Sequence, residues 1–159
     1  MPITPLHFGI LAPINHFAPG KVSNVSFILV NLLMDGNSIL YYAFNITHLL
    51  DPHGRGHTFI DALILAAIIS VFGFKSRKWI YGAFLGGVSH ILLDMLVHSQ
   101  MNPLFPIDGN PFYMGWMEPL SMALLPLTIW FIFQWVSYSL ERIRQYHAVS
   151  RTGSGLTQK

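Results

Sequence analysis

The stretch WIYGAFLGGVSHILLDMLVH, Trp79 to His98, is long and apolar enough to read as one helix crossing a bilayer, yet it carries His90, Asp94 and His98 at four-residue spacing. On an α-helix that spacing places the three on a single stripe, successive members about 6 Å apart along the axis. Ionisable groups in such a segment are costly to bury, so they should be paired, hydrated or bound to a cation. Imidazole and carboxylate are metal-ligand chemistry. The stripe is therefore the first place to look for function.

Working outward, the chain of 159 residues reads as one membrane domain over 1–146 followed by a polar, disordered tail over 147–159. It is 52% hydrophobic and 10% charged, where a soluble domain carries roughly 25% charged residues. Several apolar stretches approach or exceed the ~20 residues that cross a bilayer. With no cysteine, thiolate metal sites, disulfides and cysteine nucleophiles are excluded. A net charge of only +2 gives no reason to expect nucleic acid as a partner; membrane topology accounts for the basic residues better. Pro2, Pro5 and Pro13 interrupt the first apolar run, which also lacks a basic leader, so no cleavable signal peptide is expected.

Five segments follow. A short one at Thr4–Phe17 opens with Pro5, a good first-turn residue. Ser23–Leu50 is long enough to cross with a break at the turn-like Asp35-Gly36-Asn37-Ser38. Thr58–Phe74 precedes a basic turn of Lys75, Arg77 and Lys78; Trp79–His98 and Met117–Leu140 complete the set. The predicted fold class is all-α: a polytopic integral membrane helical bundle of four transmembrane helices plus a short membrane-inserted N-terminal helix.

If segments two to five alternate sides, Lys21, Lys75, Arg77, Lys78, Arg142, Arg144, Arg151 and Lys159 fall on one face and Arg55 alone on the other. The positive-inside rule makes the basic face cytoplasmic. The C-terminus then lies inside, and the 51–58 and 99–116 loops outside. His53, His57 and His98 gather at the outer end, with Asp94 and His90 one and two turns deeper and Asp35 halfway along segment two. His7 joins them only if the first segment runs from the outer side inward to Lys21; otherwise it is stranded up to ~30 Å away. His16 and His147 fall on the wrong face, and His48 is at most a supporting group.

A purely structural reading, with a His–Asp pair satisfying itself across a bundle interface, accounts for any one of these residues. It accounts poorly for all of them, because no Lys or Arg lies within a segment to neutralise Asp35 and Asp94. His53-Gly-Arg-Gly-His57 reads as a loop, with Thr58 capping the third helix and Asp61 three residues on. Arg55 suits either an anionic substrate or lipid headgroups. Gly82 and Gly86, four apart, permit close helix packing.

In order along the chain stand T-P-L-H at Thr4–His7, L-M-D at Leu33–Asp35, H-G-R-G-H-T at His53–Thr58, G-G-V-S-H-I-L-L-D-M-L-V-H-S at Gly86–Ser99 and N-P-F at Asn110–Phe112. This order resembles the predicted membrane-bound metal-dependent hydrolases, small integral membrane proteins of bacteria and archaea. Met34 departs from that pattern, which has proline before the aspartate. The resemblance implies a metal set of His7, Asp35, His57, His90 and Asp94, with His53 and His98 as additional members.

Five to seven ligands exceed the four of a closed structural zinc. One open catalytic zinc, or two ions sharing a carboxylate, suits the number better. The expected activity is hydrolysis of a membrane lipid or other amphiphilic ester, phosphoesters ahead of acyl esters, from the outer face of a prokaryotic inner membrane. Arg55 would hold a substrate phosphate as a planar fork, and His98 would bind a second ion or contact substrate. A divalent-cation or proton transporter uses similar residues but needs a polar path to the basic side, of which segments three and four show little. A non-catalytic metal-binding subunit is the remaining alternative. Oligomeric state is not legible.

Overall fold

Ser76 starts the central helix by accepting a hydrogen bond from the Trp79 amide at 3.4 Å, and the helix then runs without a break from Arg77 to Val97. A computed structural model, which describes residues 4–36, 57–117 and 122–153, places this element among five others. They are α1 (Thr4–His7), α2 (Leu11–Phe17), α3 (Asn24–Met34), α4 (Phe59–Val71), the central α5 (Arg77–Val97) and α6 (Leu124–Gly153), with 3-10 turns at Phe8–Ile10 and Gly115–Met117. The described residues contain helix and no strand, as the all-α reading expects.

Helix α5 is packed by α3 on one side and α4 on the other, and small residues set how closely. A methyl group at Gly82 would run into the Ser23 carbonyl oxygen, and one at Gly86 would lie 2.7 Å from that of Phe27. On the opposite flank Gly87 faces the Ala62 backbone. Polar ties cross the same seams: the Ser26 hydroxyl donates to the Trp79 carbonyl at 2.8 Å, and the Trp79 indole donates to the Ile69 carbonyl at 2.7 Å. Val30, Met34, Ala62, Ala66, Ile69, Ala83 and Ile91 form the core between these three helices.

The N-terminal segment lies against α6. Pro13 has no N–H to give the Gly9 carbonyl, and the turn before it tightens to 3-10 geometry. Gly9 lets the Leu124 and Thr128 backbone come close, and the Thr128 hydroxyl donates to the Leu6 carbonyl at 3.2 Å. Leu11, Ala12, Phe27 and Phe131 make a second core there. At the far end, Asn15, Lys78, Trp79 and Gln134 line a common cleft of about 760 Å³. The first segment thus runs from the C-terminal end of α5, where His7 lies, to its basic N-terminal end.

Two expectations change. Among the described residues only α5 is long and apolar enough to span a membrane; α3 and α4 are apolar but shorter. The described residues therefore support one of the four expected crossings. Ser23 and Asp35 bound α3 to 11 residues, and Thr58 and the turn at Phe72 bound α4 to 13, about 16 and 20 Å of helix. Residues 37–56, including the second half of segment two, lie outside the described residues. Helix α6 also continues through the polar residues after Glu141 to Gly153, past the point where the sequence reading placed a disordered tail.

Boundaries elsewhere follow local chemistry. Thr58 caps α4 as expected, its hydroxyl accepting from the Asp61 amide at 3.0 Å and donating to the Asp61 carboxylate at 2.6 Å. Arg77 and Lys78 belong to the first turn of α5 rather than to the preceding turn.

Because Gly86 meets backbone rather than a flexible side chain, Gly86→Ala should destabilise the protein by about 1–3 kcal/mol, and Gly86→Val by more. Thermal unfolding in detergent measures this, and unchanged midpoints would refute the close contact.

Candidate metal centre

Two turns of helix assemble the centre of the site. On α3, Asn31 and its C-cap Asp35 are four residues apart; on α5, His90 and Asp94 are likewise four apart. The α3–α5 contact at Gly86 brings the two pairs together. All four side chains are buried: Asn31 and His90 completely, Asp94 to 4% exposure and Asp35 to 9%.

The imidazole of His90 stands between the carboxylates. Its Nε2 is 3.4 Å from Asp35 Oδ1 and 3.2 Å from Asp94 Oδ2. Its other nitrogen, Nδ1, is 3.0 Å from Asn31 Oδ1. The orientation of that amide follows from its partners, since Asn31 Nδ2 donates to the Phe27 carbonyl at 2.9 Å and the Gly86 carbonyl at 3.3 Å. The amide oxygen therefore faces His90 and accepts a hydrogen bond from Nδ1–H. In the neutral ring Nε2 then keeps its lone pair and faces the carboxylates, the arrangement a metal-ligating histidine requires, whereas in the imidazolium Nε2–H would face them.

His57, just ahead of the α4 cap, contributes from a third direction: its Nε2 is 3.3 Å from Asp35 Oδ1. Ligand atoms of Asp35, His57, His90 and Asp94 all lie within 4.8 Å of one another. His7 reaches the same cluster from α1, with Nε2 3.1 Å from Asp94 Oδ1 and its ring 4.4 Å from that of His90. His98, the C-cap of α5, is 3.8 Å from Asp94 Oδ1 and is the more exposed partner, its side chain 15% accessible.

His57 Nε2 and Asp35 Oδ1 meet hydrogen-bond geometry, but other approaches in the cluster do not. Among the described residues His7 Nε2, His90 Nε2 and Asp94 Oδ1 are buried with no hydrogen-bond partner, although each has a polar neighbour within 3.1–3.4 Å. Their lone pairs converge on shared space rather than on one another's protons. Four donors 2.0–2.1 Å from a tetrahedral ion are about 3.3 Å apart; the three closest pairs of the four-residue set are at 3.2–3.4 Å, and all four ligand atoms lie within 4.8 Å of one another. Orphaned buried polar atoms are costly, and a cation is the partner that would satisfy nitrogen and oxygen lone pairs together. The residues fit a divalent metal.

The structure thus brings His7, Asp35, His57, His90, Asp94 and His98 to one end of the bundle. His53 and Arg55 lie outside the described residues. His16 is at the other end, beside Trp130 and the cleft near Lys78, and His147 is exposed on α6. The sequence reading gave no role to Asn31, and it noted Asn110 only as the start of N-P-F. Asn31 was legible as the polar residue one turn before Asp35, but an amide carries no charge to draw attention. Asn110 closes the end of α5, its amide donating to the Met95 carbonyl at 2.6 Å and the His98 carbonyl at 2.8 Å. Comparison with protein-family models, curated proteins and solved structures finds no match to this chain.

Asn31→Leu keeps the volume and removes the group that orients His90. Zinc affinity, measured by competition with a chelator, should fall about 10–100-fold. An unchanged affinity would show that Asn31 only packs.

Proposed function

We propose that this chain is a membrane-embedded, metal-dependent hydrolase of amphiphilic esters, phosphoesters ahead of carboxylic esters, in line with the family it resembles. The observation that carries the reading is the convergence of buried Nε2 and carboxylate lone pairs from Asp35, His57, His90 and Asp94, with His7 against the same aspartate. Helical packing alone gives no reason to gather three imidazoles around two carboxylates in an apolar interior. A divalent cation, zinc by its nitrogen-rich donor set, would supply Lewis acidity toward a phosphoryl or acyl oxygen and acidify water at neutral pH.

The protein's part is positioning. Asn31 sets the tautomer of neutral His90, and His57 Nε2 stands 3.3 Å from Asp35 Oδ1, where a cation would join the two. The 100–117 segment folds back over the end of the bundle through Phe59 N–H to Pro103 O at 3.0 Å and Met114 N–H to Leu96 O at 2.9 Å. The side chains of His98 and Asp35 remain the most accessible of the cluster, at 15% and 12%.

A bilayer setting is supported by the outward faces of the helices. Ile60, Leu63, Ile64, Ile68 and Val71 on α4 and Leu125, Ile129, Ile132, Phe133 and Val136 on α6 are large, apolar and exposed. Apolar surface on that scale suits lipid rather than water. The exposed cations Lys75, Arg77 and Lys78 sit at the end of α5 opposite the site, about 25 Å from Asp94 along the axis. With the basic end cytoplasmic, the site faces the outer side.

Zinc-loaded protein in detergent should hydrolyse long-chain phosphoesters in mixed micelles, lose that activity to a chelator and regain it with zinc. Asp94→Asn should be inactive. Failure on every phosphoester and carboxylic ester class offered would refute a hydrolase, and preference for short soluble esters would refute the lipid substrate. A reporter fused after Lys159 should read cytoplasmic; an extracellular reading would reverse the orientation.

A further inference from the structure

We propose that Asp94 bridges two cation positions, and that the second, made by His7, His98 and Asp94, is the one that meets substrate. The inference rests on reading Asp35, His57, His90 and Asp94 as a cation site. Its own ground is the way the two oxygens of Asp94 divide their neighbours. Oδ2 faces His90 Nε2 at 3.2 Å, within the four-residue set. Oδ1 faces His7 Nε2 at 3.1 Å and His98 Nε2 at 3.8 Å. A carboxylate sandwiched in this way offers one oxygen to each of two ions.

Geometry on α5 separates the two groups. Asp94 lies between His90 and His98 along α5, with Oδ2 toward His90 and Oδ1 toward His98, so the two histidines address different oxygens of one carboxylate. His98 is the first residue beyond the helix, with φ −113° and ψ 107°, and its ring returns toward Asp94 instead of continuing the stripe. Asn110 holds this helix end by donating to the His98 carbonyl. From the other side, His7 comes in on α1 with Nε2 buried and, among the described residues, without a hydrogen bond; Asp94 Oδ1 is in the same condition. Two orphaned lone pairs 3.1 Å apart, with a third donor at 3.8 Å, describe part of a coordination shell.

The donor numbers give the positions different work. Asp35, His57, His90 and Asp94 supply four protein ligands, the number of a closed structural zinc. His7, His98 and Asp94 supply three, the number found where an open position takes water or substrate. The three-ligand group includes His98, whose side chain is the most accessible of the cluster at 15%, against 12% for Asp35 in the four-residue set. The buried ion would hold α3, α4 and α5 together, and the outer one would polarise the scissile ester.

The test uses the full chain in detergent, stripped of metal and titrated with zinc, and then loaded with Mn²⁺ for electron paramagnetic resonance. Wild type should take two equivalents, and His98→Ala and His7→Ala one each. Paired ions in two-metal sites lie about 3.5–4 Å apart, so wild type should show a spin-coupled Mn²⁺ pair and His98→Ala an isolated ion. His98 is at a helix end and partly exposed, so His98→Ala should stay folded even if the buried His7→Ala does not. One equivalent in wild type with an uncoupled spectrum would overturn the second position and leave the four-residue site standing. No bound zinc in folded wild type would overturn both. Two equivalents retained in His98→Ala would overturn the assignment of His98.

Discussion

The approach of α3 to α5 at Gly82 and Gly86 is the constraint from which the rest of the site follows. Neither position has room for a methyl group, because Ser23 and Phe27 backbone carbonyls already occupy that space. With the backbones this close, Asn31 can donate to the Gly86 carbonyl and still reach His90. One turn further along each helix, Asp35 and Asp94 arrive on either side of the same imidazole. Two glycines that bear no chemistry thus set the spacing of the groups that do.

Burial then raises the cost of leaving those groups unsatisfied. Asp94 sits among His7, His90 and His98, all of them imidazoles, and several of the facing atoms lack hydrogen-bond geometry. In a low-dielectric interior that arrangement needs positive charge to be stable, supplied either by protons on the histidines or by a cation. The Asn31 hydrogen bond serves both: in the imidazolium Nε2–H would face the carboxylates, and in the neutral ring the inward nitrogen is an acceptor that a cation would satisfy. Site and fold are therefore interdependent: residues from α1, α3, α5 and the start of α4 meet at one point, and an ion there would tie them together.

Periodicity made the centre legible and left its edges obscure. His90 and Asp94 share a face at i, i+4, so the sequence alone showed a buried polar stripe, and Thr58 with Asp61 announced the start of α4. The break at Asp35 was also visible, since a helix interrupted by Asp-Gly has a clear local reason. Pairing across helices was not, because nothing in the chain near His7 specifies that α1 lies beside Asp94. Helix lengths were over-read for a related reason: hydropathy is continuous across residues whose hydrogen bonds end a helix, and only the caps reveal the boundary. Asn31 shows a further limit, since a neutral amide within an apolar helix becomes meaningful only once its partners are known.

The central claim is that the buried His/Asp cluster is a cation site, and elemental analysis of purified protein tests it most directly. Wild type prepared without chelators should carry stoichiometric divalent metal, and His90→Ala and Asp94→Ala, folded by circular dichroism, should each lose most of it. A folded wild type that stays metal-free after incubation with zinc, or full metal content retained in both variants, would contradict it.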